Sequence, residues 1–312
     1  MEHDKDEQAI VLAWFGATHL KALDGITAMQ REVREAFPGT RVEVALTSNM
    51  IRRIWQGRRG DEDYLAKHQD VPAGVLYAKG PLATIADLQD EGYQTIIVQP
   101  TFIYWGEEFA DLASYIRGLD SIETVKPRNR PFKKLLLGRP LLGMPGPGHD
   151  YHEDMAAAAT ALSPDVGLAG KDHAALVYMG HGNKFHSTGA YIEFQQVMRE
   201  MYPETPIFIG TVEGFPSLDY VLSSISHARV KKVILKPLMM VAAEHAGHDM
   251  AGDQDDSWKS VISSHGIEVR CIMQGLGENP GIRNIFIRHL RDAAADNHIT
   301  LPDRRGAKMR RP

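Results

Sequence analysis

Short apolar runs rich in β-branched residues recur along the chain, each followed by a stretch whose apolar residues fall at helical spacing. The runs lie at 9–15, 42–46, 95–98, 134–137, 174–178, 207–209, 233–235 and 268–272. Being almost uniformly apolar, they suit strands covered on both faces. The stretches between them, such as 20–36, 109–119, 190–201 and 218–227, carry one apolar stripe each and suit crossover helices. Strand, helix, strand in alternation predicts an α/β fold with parallel sheets flanked by helices.

The pattern also repeats. Ile10-Val11-Leu12-Ala13-Trp14-Phe15-Gly16 runs into Ala17-Thr18-His19 much as Leu176-Val177-Tyr178-Met179 runs into Gly180-His181-Gly182-Asn183. The segments 42–50 and 207–214 match in the same way, as do 92–100 and 230–237. Three matches in one order predict two similar lobes with a cleft between them. Prolines 127, 131, 140, 145 and 147 crowd together with glycines, so the predicted boundary lies there. The expected division is an N-terminal lobe over 1–135 and a C-terminal lobe over 136–312, with the last helix packing back on the first lobe.

Composition narrows the partners. With 312 residues, 43% hydrophobic and 24% charged, the chain is an ordinary globular one. A net charge of -5 and the lack of a basic stripe before the final dozen residues argue against nucleic acid. The single cysteine, Cys271, excludes an internal disulfide and a multi-cysteine metal site. The apolar run near the N-terminus is too short for a membrane span, and a cytoplasmic location is expected. Self-association is left open.

Ligands of open parallel sheets bind beyond the carboxyl ends of the strands. That rule selects the segments around Gly180-His181-Gly182, Thr211-Val212-Glu213-Gly214 and Ala243-Glu244-His245-Ala246-Gly247-His248. His181, Glu213 and His245 form a set of two imidazoles and a carboxylate, suited to Co2+, Fe2+, Ni2+ or Zn2+ and poorly suited to Mg2+ or Ca2+. His248 and Glu244 are candidates for an additional ligand or for support of the site. No Gly-x-x-x-x-Gly-Lys-Ser/Thr loop occurs, so no nucleotide is expected. Phe15, Phe102, Tyr104 and Trp105 offer apolar faces for a flat ring. Lys184, with Arg52 and Arg53, offers cations for carboxylates.

Met179-Gly180-His181-Gly182 with Tyr191, Gly210-Thr211-Val212-Glu213, Pro237-Leu238-Met239 with His245 and Asp249-Met250-Ala251, Asp256-Ser257-Trp258-Lys259, and Gly275-Leu276-Gly277-Glu278-Asn279-Pro280 with Ile282-Arg283 follow one another in order. Together they resemble the anaerobic, class II sirohydrochlorin cobaltochelatases over about 9–290. The resemblance implies a chelatase-like pair of α/β lobes, sirohydrochlorin and Co2+ as substrates with Fe2+ as a second ion, no ATP, and a role in cobalamin or sirohaem synthesis. It also implies His181, Glu213 and His245 as the metal ligands and His181 and His245 as the catalytic residues. Two departures stand out: His248 adds an imidazole where relatives carry Asn, and Phe102 stands where some relatives carry His. A two-lobed protein that carries a metal or metallotetrapyrrole without turnover is the alternative.

Overall fold

The computed structural model describes residues 8–146, 148–184, 188–242 and 246–302. These residues divide into two compact units. The first takes the described chain up to Phe102, then Glu108–Pro140, and then the described chain from Phe286 onward; the second takes Ile103–Glu107 and the described part of Leu141–Ile285. A segment of the first half of the sequence is thus built into the second unit.

Each unit holds one four-stranded parallel sheet. In the first, β1 (Gln8–Trp14), β2 (Arg41–Leu46), β3 (Thr95–Pro100) and β4 (Lys134–Leu137) lie in the order β2-β1-β3-β4. In the second, β5 (Ala175–Gly182), β6 (Ile207–Glu213), β7 (Lys232–Pro237) and β8 (Glu268–Cys271) lie in the equivalent order β6-β5-β7-β8. All eight expected strands are present, and all pairs are parallel. Burial explains their composition: residues Ala9 to Ala13 of β1 and Ile96 to Val98 of β3 have no exposed surface, so both faces must be apolar.

Local signals set the helices. Helix Leu23–Ala36 turns Leu23, Ile26, Met29 and Val33 inward, one residue per turn. Helix Asn49–Arg59 starts where the Ser48 hydroxyl accepts the Ile51 amide, and Ser217 and Ser257 start helices Leu218–His227 and Trp258–Ser264 in the same way. In the second unit, Ala175, Val177 and Met179 of β5 pack with Phe208, Val221, Trp258, Ala246 and Met250 into a core on one side of the sheet. On the other side, Tyr178 and Lys236, paired across β5 and β7, both bond the Asp165 carboxylate. Burial pushes the Tyr178 hydroxyl well above its ordinary range. No helix among the described residues is long and apolar enough to cross a membrane.

Candidate functional site

The strand ends of the second unit differ in one respect from the sequence expectation. Gly180-His181-Gly182 was expected as a loop after a strand ending near residue 178, yet β5 continues to Gly182, and β6 continues to Glu213. The ladder runs on through Gly180 opposite Thr211 and Gly182 opposite Glu213. Glycine here permits close approach rather than ending the strand. Gly182 has φ +77°, and a Cβ placed on it would lie 1.9 Å from the Glu213 carbonyl oxygen. Gly214 has φ +80°, and a Cβ there would lie 2.3 Å from the Asn183 carbonyl oxygen. Only glycine fits at either position.

Between these glycines sits Asn183. Its amide donates to the Glu213 carbonyl at 3.1 Å, and its side-chain amide donates to Glu107 Oε2 at 3.1 Å. The side chain is buried, 5% exposed, although it follows the strand end. One residue before His181, Gly180 is covered by Tyr191, whose Cε1 would be 2.7 Å from an added Cβ. Tyr191 in turn meets Tyr104 edge to face at 5.1 Å between centroids. Trp105 meets Tyr151 at 6.2 Å. Tyr104 and Trp105, expected in the first lobe, are therefore part of the second unit, whereas Phe102 is buried in the first.

His181 is half-buried. Its Nδ1 lies 3.1 Å from the Gly182 carbonyl oxygen. A carbonyl only accepts, so Nδ1 carries the hydrogen, and the lone pair of the neutral ring sits on Nε2. Strand alternation places His181 on the side of Val177 and Met179, and Glu213 on the side of Thr211, away from Phe208 and Val212. The Glu213 carboxylate pairs with Lys184, Oε1 to Nζ 3.2 Å, at an exposed position. Among the described residues no group of three or more His, Cys, Asp or Glu side chains could hold a metal. His245 and Glu244 lie outside the described residues. Their chain neighbour Ala246 opens a short π-helical turn, Ala246–Met250, whose two ends are buried in the same core cluster as Met179. His248 in this turn points outward, 68% exposed, with Nδ1 2.9 Å from Asp249 Oδ1.

In the first unit the corresponding strand ends present Phe15, 41% exposed, and Met50, 63% exposed. Met50, an apolar residue in the first turn after β2, was not among the expected contacts. Arg52 bonds the Leu46 and Thr47 carbonyls and Asn49, which commits the guanidinium to its own strand end rather than to a ligand. Helix Tyr151–Ala161 of the second unit opens with a further charged group that sequence reading did not single out. There His152 Nδ1 lies 2.8 Å from Asp150, while its Nε2 and the Tyr151 hydroxyl share Glu193 Oε1 at 3.1 and 2.7 Å. The hydrogen bond to Asp150 raises the His152 pKa, and the same contact follows the His152 amide in lowering that of Asp150.

Comparison with known proteins gives one consistent family. The family model described as cobalt chelatase (CbiK) matches residues 8–295. The sirohydrochlorin cobaltochelatase of Salmonella typhimurium is 30% identical over 288 residues, covering 92% of this chain and 96% of that protein. The sirohydrochlorin cobaltochelatase CbiKC of Nitratidesulfovibrio vulgaris is 29% identical over 289 residues, covering 93% of this chain and 91% of that one. Among solved structures, SirB from Bacillus subtilis with Fe3+ superposes with a TM-score of 0.60 at 15% identity, over 95% of this chain and 100% of its own. The sirohydrochlorin chelatase SirB from B. subtilis subspecies spizizenii in complex with cobalt gives 0.56 at 16% identity, with the same coverage. At those identities the two structures establish the shared fold.

Proposed function

We propose a reaction scheme from one premise: this chain belongs to the cobalt chelatase (CbiK) family. It is a metal chelatase that inserts Co2+ into sirohydrochlorin. In the scheme, His181 and His245 hold the incoming ion, and Glu213, on the other side of the pleat, reaches it past the open strand ends by exchanging Lys184 for the metal. The observation that carries this assignment is the pinched end of β5 and β6. It sets His181 one residue from Gly182, which faces Glu213 in the ladder, while the hydrogen bond from Nδ1 leaves the His181 lone pair on Nε2. Ala246, bonded to His245, belongs to the same core cluster as Met179, two residues before His181.

Insertion removes two N–H protons from the macrocycle, and two imidazoles leave the ion as pyrrole nitrogens replace them. Each histidine released from cobalt regains its lone pair and accepts one proton, so ligand exchange and deprotonation proceed together. The products are the cobalt macrocycle and two imidazolium groups, which discharge to water, with His248 and Glu244 as the adjoining polar groups. Lys184, released from Glu213, meets a substrate carboxylate. Tyr104 and Trp105, in the same unit as His181, supply apolar contacts for the ring. No nucleotide enters the scheme, and Fe2+ fits the same ligands.

The test is optical turnover. Purified protein mixed with excess sirohydrochlorin and Co2+ should convert many equivalents, and addition of ATP should leave the rate unchanged. Conversion that stops at one equivalent would instead indicate a carrier. The same assay with Co2+ and Fe2+ in competition ranks the two ions.

A further inference from the structure

We infer that Glu107 is a positioning residue for the metal site, acting through Asn183 to fix the spacing between the ends of β5 and β6. The inference rests on His181 and Glu213 being ligands. Asn183 follows Gly182 and meets the end of β6: its backbone amide bonds the Glu213 carbonyl at 3.1 Å, and its carbonyl oxygen lies where a side chain on Gly214 would have to go. A residue so placed transmits any rotation of its own to both strand ends. Its side-chain amide is anchored to Glu107 Oε2, at 3.1 Å. An amide donating to a carboxylate is a charge-assisted bond, stronger than a neutral pair.

Glu107 does not act alone. It closes the segment Ile103–Glu107, which the first half of the sequence lends to the second unit. Tyr104, three residues earlier, packs on Tyr191, and Tyr191 covers Gly180. The segment therefore braces the residue before His181 with a ring and the second residue after it with a carboxylate. His181 is held from both sides by Tyr191, Asn183 and Glu107, which touch neither metal nor substrate in the proposed scheme. Their effect should appear as metal affinity, because spacing between ligands is what they set.

The experiment is equilibrium titration of the full-length protein with Co2+ alone, followed by the visible absorption of the ion. Glu107→Ala should weaken Co2+ binding on the order of tenfold, in the range seen when groups supporting metal ligands are removed. It should leave the KM for sirohydrochlorin unchanged. Glu107→Gln, whose amide oxygen still accepts from Asn183, should return to within about twofold, and Asn183→Ala should match Glu107→Ala. The double variant should bind no worse than either single one, since both remove the same bond. Wild-type Co2+ affinity in Glu107→Ala or Asn183→Ala, beside a loss in His181→Ala, would overturn the positioning role alone. Unchanged affinity in His181→Ala would overturn the ligand assignment on which it stands.

Discussion

The carboxyl ends of β1 and β2 in the first unit and of β5 and β6 in the second share a frame and differ in what they present. In both, the inner strand leaves through a glycine with positive φ, Gly16 at +109° and Gly182 at +77°. In both, the neighbouring strand ends are tied by backbone bonds: Thr47 and Ser48 amides to the Trp14 and Phe15 carbonyls at 2.7 and 3.2 Å, and the Asn183 amide to Glu213 at 3.1 Å. The first frame is locked from beneath by indole and guanidinium, as Trp55 Nε1 donates to the Ala17 carbonyl at 2.9 Å and Arg58 to that of Thr18 at 2.6 Å. It offers exposed Phe15 and Met50. The second is braced by Glu107 and offers His181 and Glu213. A common backbone thus carries an apolar edge in one place and an ionisable edge in the other, so in the proposed scheme the chemistry belongs to the side chains rather than to the fold.

That contrast can be broken most directly at its histidines. His181→Ala should lower the rate of Co2+ insertion by roughly 100-fold or more, while His19→Ala, on the exposed equivalent loop, should stay near the wild-type rate. Equal losses at both would erase the distinction. The glycines come next. Gly182→Ala should destabilise by about 3 to 4 kcal/mol, because its new Cβ meets backbone, whereas Gly16→Ala should cost about 1 to 2 kcal/mol, because its neighbour is the movable Ile51 side chain. Denaturant titration of the two variants compares the frames. A smaller effect is expected at the apolar edge, where Phe15→Ala should change stability by no more than about 1 kcal/mol, because the ring is 41% exposed.

The smallest effect is one of pH, at the start of helix Tyr151–Ala161 in the second unit. His152 has its pKa raised above the ordinary 6.5 by Asp150, so its contribution is complete below 6.5 and fades as pH rises through the folded value. Asp150 has its pKa lowered, so its contribution is lost as pH falls through its own folded value. An NMR titration should find His152 above 6.5, and Asp150→Asn should bring it back toward that value.

Most of the architecture was legible in the sequence, since eight β-rich apolar runs became eight strands and the three-part repeat became two sheets of one order. Strand ends were not. Gly180 and Gly182 look like breakers in isolation, and only the register with Thr211 and Glu213 reveals them as sites of close approach. Histidine and glutamate at strand ends stood out by residue type, whereas Asn183 and Glu107 read as a loop amide and a surface acid until their contact is known. The move of Tyr104 into the second unit had no local signal, because what decides it is Tyr191, far along the chain.

The interleaving of the two units has a consequence for how the protein is made. The second unit lies almost wholly in one continuous stretch, but the first needs the chain from Phe286 onward. There Asp292 binds Arg139 at 2.7 Å, His289 donates to the Arg139 carbonyl and Arg291 covers Phe37. On a ribosome adding about 5 to 20 residues per second, the stretch between Pro140 and Phe286 takes roughly 7 to 30 s. Throughout that interval the first unit, begun earliest, waits unfinished while its partner folds. It starts first and closes last, so chain terminations before residue 286 should injure the N-terminal unit more than the C-terminal one.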